Sequence, residues 1–71
     1  MNNIHPTAII GNNTKIGDNV NIAEFVLIGN NVKIGNNVII KPFCEIRDNC
    51  KVGNNVSFGS RCTLAADTIV E

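Results

Sequence analysis

Ile28-Gly29-Asn30-Asn31-Val32-Lys33-Ile34-Gly35-Asn36-Asn37-Val38-Ile39-Ile40 contains one six-residue unit twice. Each unit begins with a large apolar residue, which we call the i slot, and continues with Gly and two Asn. Stepping by six in both directions from Ile28 reaches a large apolar residue at every step from Ile4 to Val70. A period this regular, sustained over the whole chain, is the signature of a repeat architecture.

The repeat predicts short strands separated by tight corners. The i slot and the small or β-branched residue two positions before it have the same parity, so on a strand both side chains point inward. All six glycines lie at slot i+1, and Asn or Asp mostly fills slots i+2 and i+3, where they suit a turn. Three such edges close a triangular coil of eighteen residues. An amphipathic α-helix is excluded, because a six-residue step scatters the apolar residues around it.

The sequence therefore predicts one all-β domain over residues 1–71, a parallel β-helix of just under four triangular coils. No segment is typical of a helix that could cap it. The six basic and six acidic side chains balance, which gives no general field for binding nucleic acid. No apolar run has the length of a membrane span. The N-terminus lacks the regions of a signal peptide, so we expect a cytoplasmic protein.

The units Ile-Gly-Asn-Asn-Val-Lys and Ile-Gly-Asn-Asn-Val-Ile resemble the bacterial transferase hexapeptide. The opening Ile4-His5-Pro6-Thr7-Ala8-Ile9-Ile10 is similar to the first coil of the acyl-ACP–UDP-sugar acyltransferases and the nucleotide-sugar N-acetyltransferases. The resemblance covers nearly the whole chain. It implies a left-handed β-helix, usually a homotrimer, although the general rule for crossover connections predicts the opposite hand.

Residues eighteen apart should stack on successive coils, roughly 4.8 Å apart. On one face, the outward slot i−1 then carries a column of lysines, Lys15, Lys33 and Lys51. These lysines could be solvated edge residues that discourage aggregation. They could also bind a phosphate or a pantetheine-linked ligand, or contact acidic residues of a neighbouring subunit.

The stacking also predicts an exposed apolar surface. Phe25 and Phe43 should stack at one corner, with Arg61 over Phe43. Further outward apolar residues are Ile9, Leu27 and Ile39. An exposed cluster of this kind usually marks a partner surface. We expect a homo-oligomer interface, most simply a trimer, formed by Ile9, Phe25, Leu27, Ile39, Phe43 and Arg61; contact with a missing element of a larger chain is the alternative.

The three cysteines all occupy the inward slot i−2, which predicts that they fill the core as Val does elsewhere. Cys44 and Cys62 should stack, so a disulfide is geometrically conceivable, but a cytosolic setting argues against it. Cys50 lies on another edge, and His5 is too distant to complete a metal site with them. His5 is the single histidine. It is the one candidate for a catalytic base, but at the first corner it also fits a structural role.

Two hypotheses about function stay open. The first is an acyl- or acetyltransferase that binds no resident cofactor, takes acetyl-CoA or another acyl-CoA as co-substrate, and acts on a nucleotide sugar or a related amine or hydroxyl acceptor. The resemblance implies this activity, but no residue provides a convincing base. The second is a homotrimeric assembly or interaction module that kept the scaffold without the chemistry.

Overall fold

The computed structural model describes residues 2–71, and within that range it contains strands and turns but no helix. Twelve strands of two residues follow one another along the chain: β1 (Asn3–Ile4), β2 (Ile9–Ile10), β3 (Lys15–Ile16), β4 (Asn21–Ile22), β5 (Leu27–Ile28), β6 (Lys33–Ile34), β7 (Ile39–Ile40), β8 (Glu45–Ile46), β9 (Lys51–Val52), β10 (Ser57–Phe58), β11 (Thr63–Leu64) and β12 (Ile69–Val70). Each strand ends on an i-slot residue, so the six-residue period is the strand period.

The strands form three parallel four-stranded sheets, which are the three faces of the solenoid. Sheet A has the order β1-β4-β7-β10, sheet B the order β2-β5-β8-β11, and sheet C the order β3-β6-β9-β12. Each strand from β1 to β9 pairs with the strand eighteen residues further along, as in Ile22↔Ile40 and Ile28↔Ile46. The predicted all-β solenoid of about four triangular turns is therefore confirmed.

The core is a single column of inward side chains. Val20, Ile28 and Ile40 are at most 1% exposed, and the buried set comes from the two middle coils. It comprises Val20, Ile22, Val26, Ile28, Val32, Ile34, Val38, Ile40, Cys44, Ile46, Cys50 and Val52. Inward residues of the first and last coils are only partly covered, since each of these coils packs against one neighbour instead of two.

Two of the three corners are held by a hydrogen bond between an Asn or Asp side chain and the coil before it. The N–H of Asn36 donates to Oδ1 of Asn54 at 2.8 Å, and the N–H of Asn30 donates to Oδ1 of Asp48 at 2.8 Å. The side-chain Oδ1 of Asn54 or Asp48 reaches that N–H through the space beside the glycine that precedes the donor residue. A Cβ on Gly35 would lie 2.7 Å from the carbonyl oxygen of Gly53, so glycine is required there for close approach.

The left-handed backbone of each corner lies at slot i+3 and not at the glycine. Asn31 and Asn37 have φ of 59°, and no glycine has a positive φ. Asn adopts this region more readily than most residues, because its short side chain bonds to nearby backbone. At these corners glycine provides the space at slot i+1, and the residue at slot i+3, Asn in most of them, makes the left-handed turn. Across residues 2–71, nothing forms a helix that could cross a membrane.

Candidate functional site

Three lysines form an unbroken column on sheet C. Lys15 is in register with Lys33, and Lys33 with Lys51, with all three side chains exposed. Within residues 2–71 no carboxylate lies within ion-pairing distance of these ammonium groups; the ion pair found there joins Arg47 to Glu45. The lysine column is therefore a strip of uncompensated positive charge.

The corner between sheets A and B differs from the other two. The aromatic rings of Phe25 and Phe43 stack with centroids 5.3 Å apart and an interplanar angle of 18°. The guanidinium carbon of Arg61 lies 5.8 Å from the centroid of Phe43, within the range of a cation–π contact. Both contacts confirm the stacking predicted from the eighteen-residue coil.

Phe25 and Phe43 also occupy the left-handed backbone region, with φ of 57° and 64°. A bulky residue there is an outlier that costs about 1–2 kcal/mol. Their side chains are nevertheless 58% and 52% exposed. Burial of the two rings within one copy of the chain therefore offsets little of this backbone cost. Strain of this kind persists mainly where a surface has a function.

An apolar face surrounds this corner. It extends from the exposed Ile39 on sheet A, across the phenylalanines, to Leu27 and the 64% exposed Ile9 on sheet B. We use "apolar face" for the set Ile9, Phe25, Leu27, Ile39 and Phe43. The lysine column lies on sheet C, opposite this corner, so the solenoid separates its apolar and its basic surfaces.

His5 takes part in a local network at the first corner. Its Nδ1 lies 2.8 Å from Oγ1 of Thr7 and accepts the Thr7 N–H at 3.2 Å. Oγ1 of Thr7 accepts the N–H of Phe25 on the next coil at 3.0 Å. These contacts are those of a residue that stabilises the first corner, and because Nδ1 accepts the Thr7 N–H, Nε2 of the neutral ring is the nitrogen that carries the proton and can donate a hydrogen bond.

The cysteines are free thiols with two different environments. Cys44 and Cys50 are buried, and their Sγ atoms donate to the carbonyl oxygens of Gly59 at 2.9 Å and Ala65 at 3.0 Å. Cys62 is exposed, which corrects the prediction that all three fill the core. The reason is that the last coil has a neighbour on one side only. Among residues 2–71, no group of three or more His, Cys, Asp or Glu side chains could hold a metal ion.

A groove on sheet B, which the sequence reasoning missed, runs from Ile9 to the ion pair between Glu45 and Arg47. Nε of Arg47 lies 3.1 Å from Oε2 of Glu45, and Asp48 lines the groove beside them. The sequence signal was available, because Arg47 interrupts the glycines at slot i+1. Other residues also replace glycine at slot i+1, among them Ala23 and Lys41, so the sequence alone does not set Arg47 apart.

The family comparison agrees with the fold. The model of the bacterial transferase hexapeptide (six repeats) matches residues 31–66, half of the chain. The chain therefore belongs to the hexapeptide-repeat family, and its three stacked parallel sheets are consistent with the left-handed winding that the resemblance implies. A comparison with curated proteins finds no significant match. Membership supports an acyltransferase-like scaffold and leaves substrate and activity to be proposed.

Proposed function

We propose that the protein is an acyltransferase of the hexapeptide-repeat type that uses acetyl-CoA or another acyl-CoA as co-substrate. The acceptor would be the amine or hydroxyl group of a nucleotide sugar or a related compound. The observation that carries the proposal is the lysine column. Three ammonium groups in register, without acidic partners, suit a ligand with several phosphates, and the phosphates of an acyl-CoA are such a group.

A titration of CoA and acetyl-CoA followed by calorimetry tests this role. We expect Lys33→Gln, which removes the central charge, to weaken binding about fivefold, the scale of one solvated charge contact. Lys41→Gln is the matched control, since Lys41 lies outside sheet C. Binding should also weaken with added salt, because exposed charges are screened. No heat at millimolar CoA, or equal losses in both variants, would refute the assignment.

The chemical step needs a base for the acceptor, and His5 is the one imidazole in the chain. His5→Asn keeps a side-chain acceptor near the position of Nδ1, which holds the Thr7 N–H, and removes Nε2. If His5 is the base, this variant should bind CoA normally and lose acyl transfer. If transfer persists, the base lies elsewhere.

A second proposal concerns assembly, and the exposed, strained phenylalanine corner favours it. We infer that the apolar face contacts further copies of the chain in a homotrimer. Because the cross-section is triangular, a three-fold axis beside this corner would turn sheet A of one copy towards sheet B of the next. Sheet C and its lysines would stay on the outside. The same assembly would serve a module without catalytic activity.

Phe43→Glu places a charge at the centre of the apolar face, and we expect it to give monomers in sedimentation equilibrium. Ile69→Glu is the control, since Ile69 is at least as exposed as Phe43 but lies on sheet C. A wild-type monomer, or a trimer that survives Phe43→Glu, would refute the interface. Circular dichroism of each variant shows whether the solenoid itself is intact.

A further inference from the structure

The corner column that carries the two phenylalanines ends in a cation. Slot i+3 of this corner holds, on successive coils, Thr7, Phe25, Phe43 and Arg61. Arg61 has the same left-handed backbone as the phenylalanines, with φ of 60°, and its guanidinium carbon lies 5.8 Å from the centroid of Phe43. The Arg61 side chain is exposed. Its guanidinium therefore stands at the outer edge of the solenoid, one coil beyond the aromatic stack.

The surface around Arg61 offers hydrogen-bond donors and no acid. Among residues 2–71, Arg61 has no carboxylate within ion-pairing distance. Glu24, the one acidic residue at this corner, lies two coils before it. Three exposed hydroxyl residues share the coil of Arg61, on sheet A, at the corner and on sheet B: Ser57, Ser60 and Thr63. A guanidinium with hydroxyl groups beside it is a donor set that suits an oxyanion.

The homotrimer proposed above would bring three copies of this surface together, and the inference rests on that assembly. A three-fold axis that runs beside the corner and along the solenoid keeps the copies at one height, so each residue of the corner column faces its own symmetry mates. The three Phe43 rings would form an apolar cluster, and the three Arg61 guanidinium groups would meet roughly 4.8 Å further along. Three like charges without a carboxylate repel one another, which opposes assembly unless an anion compensates them.

We propose that the three copies of Arg61 bind one small multivalent oxyanion, such as phosphate, on the three-fold axis. The guanidinium groups donate to its oxygens, and the neighbouring hydroxyl groups are further donors. Because each copy supplies one arginine, the site is complete only in the trimer. Anion binding and assembly therefore strengthen each other. This site differs from the lysine column, which lies on sheet C and is complete within one copy.

The test is sedimentation equilibrium of the full chain in sodium chloride and in sodium phosphate at equal ionic strength, which holds the screening of charges constant. Arg61→Gln removes the guanidinium and keeps a polar side chain. Lys33→Gln is the matched control, because it removes one cation per copy from the lysine column, where bound phosphate would not join copies. If the trimer does not dissociate at measurable concentrations, Tm at one protein concentration replaces the association constant.

We expect phosphate, at about ten times its dissociation constant, to raise the association constant of the wild-type trimer about tenfold. Lys33→Gln should keep this increase. Arg61→Gln should lose it and should assemble in chloride at least as well as the wild type, because the repulsion between the guanidinium groups is gone.

Two results would overturn the anion site without contradicting the assembly. One is a wild-type trimer that is equally stable in both salts, and the other is a phosphate response that persists in Arg61→Gln. An Arg61→Gln trimer that is weakened equally in both salts would also overturn it, since Arg61 would then pair with a carboxylate of a neighbouring copy. A wild-type monomer in both salts would overturn the assembly and the anion site together.

Discussion

Replacing Gly35 by alanine tests whether close contact between coils, rather than backbone freedom, makes glycine necessary at the corners. The new Cβ would lie 2.7 Å from the carbonyl oxygen and 2.8 Å from the carbonyl carbon of Gly53, and it would also meet Oδ1 of Asn54. Two costs follow. The Asn54 side chain must leave the N–H of Asn36, and the two coils must separate locally.

The magnitude follows from these two contacts. Loss of the hydrogen bond costs about 1 kcal/mol, and overpacking costs about 1–3 kcal/mol. Alanine also stabilises the folded state by about 0.4–1 kcal/mol, because it lowers the conformational entropy of the unfolded chain. The net loss is then about 2–3 kcal/mol, against a total stability of about 4–11 kcal/mol for a chain of this length. At about 4–8 °C per kcal/mol, Tm should fall by about 10–20 °C.

Gly59→Ala is the matched control, because it makes the same change at the same slot. A Cβ on Gly59 would meet nothing closer than Sγ of Cys62 at 3.8 Å, an ordinary contact. We expect its Tm to be unchanged or slightly raised. Melting curves followed by circular dichroism at one protein concentration provide the comparison, since oligomerisation makes Tm concentration-dependent.

The double variant Gly35→Ala with Asn54→Ala adds a second check. Removing the amide of Asn54 relieves one of the two clashes but leaves the carbonyl of Gly53 in place. The double variant should therefore lose less stability than the sum of the single variants, as contacting residues do. Equal effects of Gly35→Ala and Gly59→Ala, or strict additivity in the double variant, would show that close contact between coils is not the reason for glycine.

The remaining predictions concern the core. A thiol reagent should modify Cys62 in the native protein, whereas the buried Cys44 and Cys50 should react only after denaturant is added; rapid labelling of all three would contradict the packing, and mass spectrometry identifies the sites. Ile28→Ala should cost about 2–5 kcal/mol in urea denaturation, because Ile28 is 1% exposed. Ile4→Ala, at the same slot but 42% exposed, should cost much less, and similar losses would argue against a central core.

Much of the fold was predictable because a six-residue period fixes which residues point inward and which stack. Because one coil takes eighteen residues, residues eighteen apart must be neighbours on successive coils. The pairing of Lys15 with Lys33 and the contact between Phe25 and Phe43 follow from this spacing. The winding direction does not follow, since a left-handed and a right-handed coil have the same period. Family membership supplied it instead.

The site was less predictable, because its chemistry depends on departures from the repeat. Periodicity assigns Cys62 to the core, but its exposure depends on how many coils cover it. Arg47 is a charged residue at slot i+1, and its ion pair with Glu45 at the edge of the groove appears only in the structure. The lysine column was visible from the sequence, and its lack of acidic partners required the structure.

The hydrogen bond that the side chain of a corner Asn or Asp accepts from the preceding coil also constrains how such a protein can change length during evolution. A glycine and the Asn or Asp that crosses beside it are nineteen positions apart, as Gly29 and Asp48 are. Duplicating residues 22–39, one whole coil, would place an Asn or Asp beside each of the duplicated glycines and keep every column in register. Inserting a single hexapeptide would rotate all later residues to a different face, so growth by entire turns is the change this architecture can accept.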